Sequence, residues 1–487
     1  MRKIKSYIFL LICFFSSLHS YAQRNNIWCF GDSAGIDFNT NPPTTFQSAA
    51  GSIKSSVSVC DYSGTLKFYA HSGHNLIGAW AGFNTVIFNR NHEIMLNGDS
   101  LYGEGWNGEL ALVPFPNDTN KYYLFSISIT FNNGMHYSVI DMQADSGRGA
   151  VILKNQFLLN YTFNEGATVS LHGNGSSYWL LVHKKFANTF VEYLIDSSGI
   201  SSPIYQTIGK DTRSEASTLI FTKNGEKLII VEAGGLIQQF DFNRCTGVLS
   251  NPNLIRDNVG FIPMFYGVSL SPSDRYLYIS NADSYADSSY IWQYDLWASN
   301  INASRTVIYA AHIPAAAGNH ALAPDGKIYI SYIDIAGYFY PVDSVFTLYN
   351  QNLSVINYPD SPGVACGLAP FSFNLGGRRT YWGLPINYNY YNTALPGACQ
   401  PQGLSNKDPM YFTLSPNPAH SYLEIKFEQS IPIDQIIIRS QLGQVIKTFS
   451  PEKFSSKLLP INDLSNGLYF LQVVYKEKIT TKKFIKD

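Results

Sequence analysis

Short runs of β-branched and aromatic residues, each closed by a Gly-, Asn-, Asp- or Pro-containing turn, fill the chain from Asn26 to Tyr381. The clearest is residues 217–231, where Ser-Thr-Leu-Ile-Phe is followed by Thr-Lys-Asn-Gly and a second apolar run, Leu-Ile-Ile-Val. Asn-Gly readily supplies the positive φ of a tight hairpin, so the segment predicts strand–turn–strand. The same unit recurs at 57–69, 110–127, 167–183, 267–280 and 320–332. The turns lie about 50 residues apart, near the blade length of kelch-type repeats. Further strands predicted at 236–242, 290–296 and 345–349 give each repeat room for a four-stranded meander, the blade of a β-propeller. No stretch sustains a 3.6-residue apolar period, so long helices are not expected.

Six such units are internal. A seventh is predicted from the two ends, Pro370–Asn374 with its following Gly-rich stretch joining residues 26–39, which removes the last free sheet edge. Seven blades is therefore the expected count, with six and eight as alternatives. A parallel β-helix is the main rival, but its repeats are much shorter. Residues 388–410, rich in Pro, Gly and polar side chains, read as a linker. Residues 411–487 alternate strongly, with strands at 422–427, 435–439, 445–449 and 467–475, which predicts a small Ig-like β-sandwich of about seven strands. The fold class is thus all-β: a β-propeller over 23–387, then the sandwich.

At the N-terminus Arg2, Lys3 and Lys5 precede an apolar run over 7–15, and Ser20-Tyr21-Ala22 offers a cleavage site. Residues 1–22 read as a secretory signal peptide, with Gln23 opening the mature chain. No later stretch holds about 18 uninterrupted apolar residues, so no transmembrane segment is expected in the mature chain. The 33 Tyr and 31 Phe suit pleated sheets. A net charge of −1 leaves no basic footprint for nucleic acid. Cys29, Cys60, Cys245, Cys366 and Cys399 remain after cleavage, an odd set that leaves at least one thiol unpaired in a monomer. Nearness along the chain suggests Cys29–Cys60 and Cys366–Cys399, and buried free thiols fit equally well. The absence of Cys-x-x-Cys spacing argues against zinc.

The tail carries three ordered motifs: Leu414-Ser415-Pro416-Asn417-Pro418-Ala419, then Gln441-Leu442-Gly443-Gln444-Val445, then Leu464-Ser465-Asn466-Gly467-Leu468-Tyr469-Phe470, with a basic close at 482–486. Together they resemble the type A C-terminal sorting domain of the type IX secretion system. The resemblance implies that this domain is read by the outer-membrane translocon and removed on export. The product is then released or attached to surface lipopolysaccharide. In residue terms, Pro416 and Pro418 are expected to fix an extended entry into the first strand. Gly443 suits a hairpin turn, and Gly467 opens the last long strand with Tyr469 in it. The propeller segments around residues 26–39, 61–69 and 86–95 resemble exported propeller proteins of Bacteroidetes, a group with no single activity.

Candidate chemistry is sparse. Gly31-Asp32-Ser33-Ala34-Gly35 matches the Gly-x-Ser-x-Gly elbow literally, but that elbow needs a strand-to-helix turn, and the surroundings here read as strand and turn. His71 and His74 flank a Gly and read as packing or solvated groups. His136, His172, His183 and His312 recur near strands. Glu165, Glu215, Asn319 and His320 are expected just before the innermost-looking strands of successive blades and are the candidates for channel-lining groups, by analogy with the metal sites of propeller lactonases. Hydrogen bonding between blades is their competing role. Asp283 and Asp287 are a weak calcium signal, lacking the usual ligand order, and no other cofactor is expected. Trp80, Trp106, Trp179, Trp292, Trp297 and Trp382 could stack on sugar rings, with core packing the commoner use. The expected function is an exported binding or interaction module, with the type IX machinery and surface polysaccharide or lipopolysaccharide as partners. The alternatives are a hydrolase or lyase acting on polysaccharide or a lactone, and a structural surface component.

Overall fold

In the computed structural model the chain divides into two compact units, residues 1–399 and 400–487. The structure describes residues 25–73, 85–116, 118–130, 134–257, 264–281, 288–335, 345–386, 388, 399, 412–427, 433–440, 444–450, 458–475 and 478–487. The expected signal peptide, His74, Trp80, Asp283, Asp287 and Gly443 lie outside these residues.

Seven antiparallel sheets follow one another in the first unit. From the second onward each opens with a strand at the axis: Ser55–Cys60, Leu110–Phe115, Thr168–Leu171, Ser217–Phe221, Phe265–Leu270 and Ala315–Leu322. Each of these touches the next, so the sheets are arranged in sequence about one axis as the blades of a propeller. The six predicted hairpins form at the predicted turns, because each turn sequence and its two flanking runs are local. The ring closes between the first and seventh sheets through a buried cluster of Trp28, Phe30 and Ile36 with Ala321, Tyr329 and Val355. Trp28 meets Tyr329 edge-on at 5.8 Å.

Closure differs from expectation in its strands. Residues 26–51 make a three-stranded sheet of their own (Ile27–Phe30, Asp32–Asp37, Thr44–Gly51), and Pro370–Asn374 falls in Leu368–Asn374, which pairs with Asn352–Ile356 as the outer strand of the seventh sheet. The returning chain is residues 379–386. The Asp32 N–H donates to the Arg379 carbonyl (2.9 Å), Asn319 N–H to Trp382 (2.7 Å), Gly383 N–H to Ile53 (3.0 Å) and Ile386 N–H to Ser56 (3.0 Å). Residues 345–349 are irregular rather than a strand, since the Asn350 amide bonds back to the Val345 carbonyl at 2.8 Å and turns the chain.

The cysteine pairing also departs from sequence proximity. Cys245 and Cys399 form the disulfide, while Cys29, Cys60 and Cys366 are buried free thiols. Cys29 and Cys60 share an apolar cluster with Ile27 and Tyr69, and burial pushes the Cys60 thiol up to about 12. Cys399 is led to Cys245 by its own N–H, which donates to the Gly173 carbonyl at 3.0 Å.

The second unit packs Phe412–Ser415, Tyr422–Phe427 and Leu458–Pro460 in one sheet and Val445–Phe449, Gln435–Ser440, Gly467–Tyr475 and Lys478–Lys486 in another. Their core contains Phe412, Leu423, Ile425, Ile436, Ile438, Leu471 and Phe484, as an Ig-like sandwich requires. Pro416 and Pro418 precede the expected strand Tyr422–Phe427, but a further strand, Phe412–Ser415, stands before them, so they sit in the connection between the two. There the Asn417 side chain accepts from the Ile485 N–H (2.9 Å), and the Ala419 N–H donates to the Ile485 carbonyl (2.8 Å), which fastens the C-terminal strand. Tyr469 stacks on Phe484 with centroids 5.7 Å apart.

Candidate functional site

The inner strands approach one another backbone to backbone at one end of the axis. A Cβ on Gly383 would stand 1.7 Å from the Lys54 carbonyl, and one on Gly318 would stand 2.5 Å from the Trp382 carbonyl, so only hydrogen fits at either place. The Ala167 N–H donates to the Gly108 carbonyl (2.8 Å) and the Glu165 N–H to the Glu215 carbonyl (2.9 Å), binding third, fourth and fifth sheets directly.

A buried polar cluster fills this narrow end. Lys54 Nζ stands 4.0 Å from Glu165 Oε1 and 4.1 Å from the Trp106 ring centroid, with the Tyr266 ring at 5.7 Å. Burial pushes the Glu165 carboxyl up to about 7 against the pull of Lys54, and burial pushes the Lys54 amine down against Glu165 and Glu109. Glu109 is fully enclosed and accepts the N–H groups of Glu104 (2.9 Å), Gly105 (2.9 Å) and Trp106 (3.1 Å), which shapes the loop carrying Trp106. Burial raises it to about 7 despite those bonds.

Beyond the cluster the axis widens into a cavity of about 1020 Å³, at the upper end of the range for small-molecule sites. It runs from Asn107 and Asn319, whose side chains meet at 3.3 Å, to the hairpin turns at Lys223, Asp274 and Asp325. Tyr388 lines it too, its hydroxyl donating to the Leu110 carbonyl at 3.2 Å.

The four sequence candidates therefore separate. Glu165 belongs to the closed end, and Asn319 to the cavity. Glu215 offers its backbone to Glu165 but turns its half-exposed carboxylate to Lys185, at 2.7 Å. His320 lines the cavity yet is almost wholly enclosed against Gly267, and burial pushes its imidazole down to about 3, so it is neutral. The other described histidines do not converge. His71 Nε2 accepts from the Gly51 N–H (3.1 Å), His172 Nε2 lies 3.0 Å from the Cys245 carbonyl, and His312 pairs with Ser288 at 2.9 Å. Among the described residues no three His, Cys, Asp or Glu side chains are grouped to hold a metal ion. Ser33 sits in a strand–turn–strand hairpin beside Asp32, whose carboxylate is bound by Arg379 at 3.0 Å. Lys54 and Tyr266 were not singled out from sequence, and Trp106 was named only among the tryptophans that could stack on sugars. Lys54 immediately precedes an inner strand, the same signal that marks Glu215.

Residues 413–487 match the secretion system C-terminal sorting domain, so the second unit is a type IX sorting domain. A comparison with curated proteins finds no match. Among solved structures the chain is similar to a functionally unknown protein from Desulfotomaculum acetoxidans (12% identity, 74% of this chain and 99% of that one, TM-score 0.40). It is also similar to a Bacteroides fragilis protein named for an inferred 6-phosphogluconolactonase activity (13% identity, 74% and 99%, TM-score 0.43). A third is the Swd1 β-propeller domain of Myceliophteria thermophila (11% identity, 64% and 94%, TM-score 0.37). Likenesses this loose assign no activity to this chain.

Proposed function

We propose that the chain is an exported binding module, carried to the cell surface or beyond by its sorting domain, whose ligand enters the axial cavity of the propeller. The observation that carries this reading is the cavity of about 1020 Å³, closed at one end and walled by inner strands that are locked to one another. A rigid scaffold with variable turns at an open mouth is how loops acquire recognition without chemistry. After export the product is released or held by surface lipopolysaccharide.

One observation favours a second reading, a hydrolase or lyase acting on polysaccharide or a lactone. A carboxyl held near 7, such as Glu165, has the proton affinity of a general acid. Its engagement with Lys54 favours the binding reading. The test is a thermal-shift screen of the full-length protein with EDTA, calcium, neutral oligosaccharides and lactones. A ligand bound by the native state raises the midpoint by mass action, and Asn107→Ala with Asn319→Ala should abolish that rise. A screen in which nothing moves the midpoint overturns the small-ligand reading.

A further inference from the structure

A groove of about 670 Å³ lies between the fifth and sixth sheets, running outward from their inner hairpin turns. One wall is built from Gln239 and the outer strand Leu249–Arg256, which brings Asn253, and the other from the turn over residues 296–302 that follows Ser288–Asp295. Trp297 on that turn is 68% exposed, whereas Trp28, Trp179, Trp292 and Trp382 are all buried.

Its exposure is held in place. The Trp297 backbone N–H donates to Asp295 Oδ1 at 3.0 Å, which fixes the turn, and the Arg275 guanidinium stands 5.2 Å from the indole centroid. Arg275 is itself fixed by a two-point bond to Asp295, at 2.8 and 3.1 Å. This sets the indole beside the groove with most of its surface open to solvent. Around it the groove holds the side-chain amides of Gln239, Asn253, Asn300 and Asn302, while that of Asn224 is bound within its own turn to Glu226 and Thr222. Amides both donate and accept, the pattern that vicinal hydroxyls require. Each charged group lining the groove has a partner: Lys227 bonds Asp241 at 2.7 Å, Glu226 accepts from the Asn224 amide at 2.8 Å, and Asp274 accepts from the Lys223 backbone N–H at 2.8 Å.

We propose that this groove binds a neutral pyranose residue of an extracellular polysaccharide, the C–H face of the sugar lying on Trp297 and its hydroxyls meeting Gln239, Asn253 and the Asn300–Asn302 turn. The groove meets the axial cavity at Asp274, but none of the proposed sugar contacts lines that cavity, so the proposal stands whether or not the cavity has a ligand.

The test is isothermal titration of the full-length protein with cello-, xylo-, manno- and laminari-hexaose. At least one hexaose should bind, and Trp297→Ala should weaken it at least about tenfold while leaving circular dichroism and the unfolding midpoint unchanged, consistent with loss of one aromatic contact. Trp297→Phe should lose less, and Gln239→Ala or Asn253→Ala should each weaken binding several-fold. Asn319→Ala in the axial cavity should have no effect on this binding. Absence of binding by every hexaose at concentrations of about 10 mM overturns the proposal. So does binding that survives Trp297→Ala; loss through Asn319→Ala instead assigns the sugar to the axial cavity.

Discussion

Lys54 Nζ lies 4.0 Å from Glu165 Oε1 across the narrow end of the propeller, with the Trp106 ring beneath it at 4.1 Å. The three residues precede the inner strands of the second, fourth and third blades, so one lysine joins three blades at the axis. Removing it by Lys54→Met leaves a buried carboxyl that is already raised to about 7 without its cation. Near pH 8 that carboxyl must ionise unpaired or stay protonated at a cost, and a loss of about 3 kcal/mol is expected. Near pH 6 it is already protonated and the loss should be smaller, and adding Glu165→Gln should recover much of the deficit at the higher pH. Denaturant unfolding at the two pH values reads this directly, and an equal loss at both contradicts the coupling.

Buried groups set a second pH dependence. Burial raises Glu109 and Glu165 to about 7, Glu192 to about 8 and Asp274 to about 6. For each the folded state keeps its proton to higher pH than the unfolded chain, so stability falls as pH climbs from the unfolded value through the folded one. Burial lowers His71 and His183 to about 4 and His320 to about 3. These contribute the opposite slope, and their gain is complete once pH exceeds the ordinary histidine value of about 6.5. Between about pH 6.5 and 8 the falling slopes of Glu109, Glu165 and Glu192 are opposed by at most the one depressed amine, Lys54, and the unfolding midpoint should fall. Glu192→Gln, which can still accept from Gln206 at the 2.6 Å contact, should flatten that fall. A midpoint that rises over this window contradicts the assignment.

Two glycines separate steric closure from turn conformation. At Gly383 a methyl group would collide with the Lys54 carbonyl at 1.7 Å, whereas at Gly326, with φ at 78°, nothing lies within 4 Å. Gly326→Ala carries only backbone strain, about 1 kcal/mol. Gly383→Ala must push the closing segment off the second blade and should cost about 3 kcal/mol or more. Equal costs for the two would show that the closing segment is not tightly held.

The Cys245–Cys399 bridge closes a loop of 154 residues and ties the last described residue of the propeller unit to its fifth blade. Cys399→Ser should lower stability by about 2–5 kcal/mol. Reductant should lower the wild-type midpoint toward that of the variant and leave the variant unmoved. A reductant effect that persists in Cys399→Ser would point to a different pairing.

What sequence showed and what it hid follows from the range of the interactions. The six inner hairpins were legible because their turn residues and alternating runs are neighbours in the chain. The closing segment was not: Asp32 and Arg379 are 347 positions apart, and the bonds that hold residues 379–386 are mostly main chain to main chain, which leaves no side-chain pattern. Glu165 and Asn319 reached the axis because they sit at or just before inner strands. Glu215 has the same placement, but its side chain is drawn outward by Lys185. The register shift between Ala317 and His320 interrupts the alternation of that strand, and His320 is left packed against Gly267 between the sixth and seventh blades. The sorting domain was read from its three motifs, yet the role of Asn417 in holding Ile485 needed the folded pair of strands.

The most direct test of an exported binding module is to titrate the full-length protein with the ligand that gives the largest thermal shift and to analyse the same mixture for product after prolonged incubation. The account predicts saturable binding that depends on Asn107 and Asn319 and a ligand recovered unchanged. Steady conversion of that ligand, abolished by Glu165→Gln, would contradict it and make the propeller an enzyme.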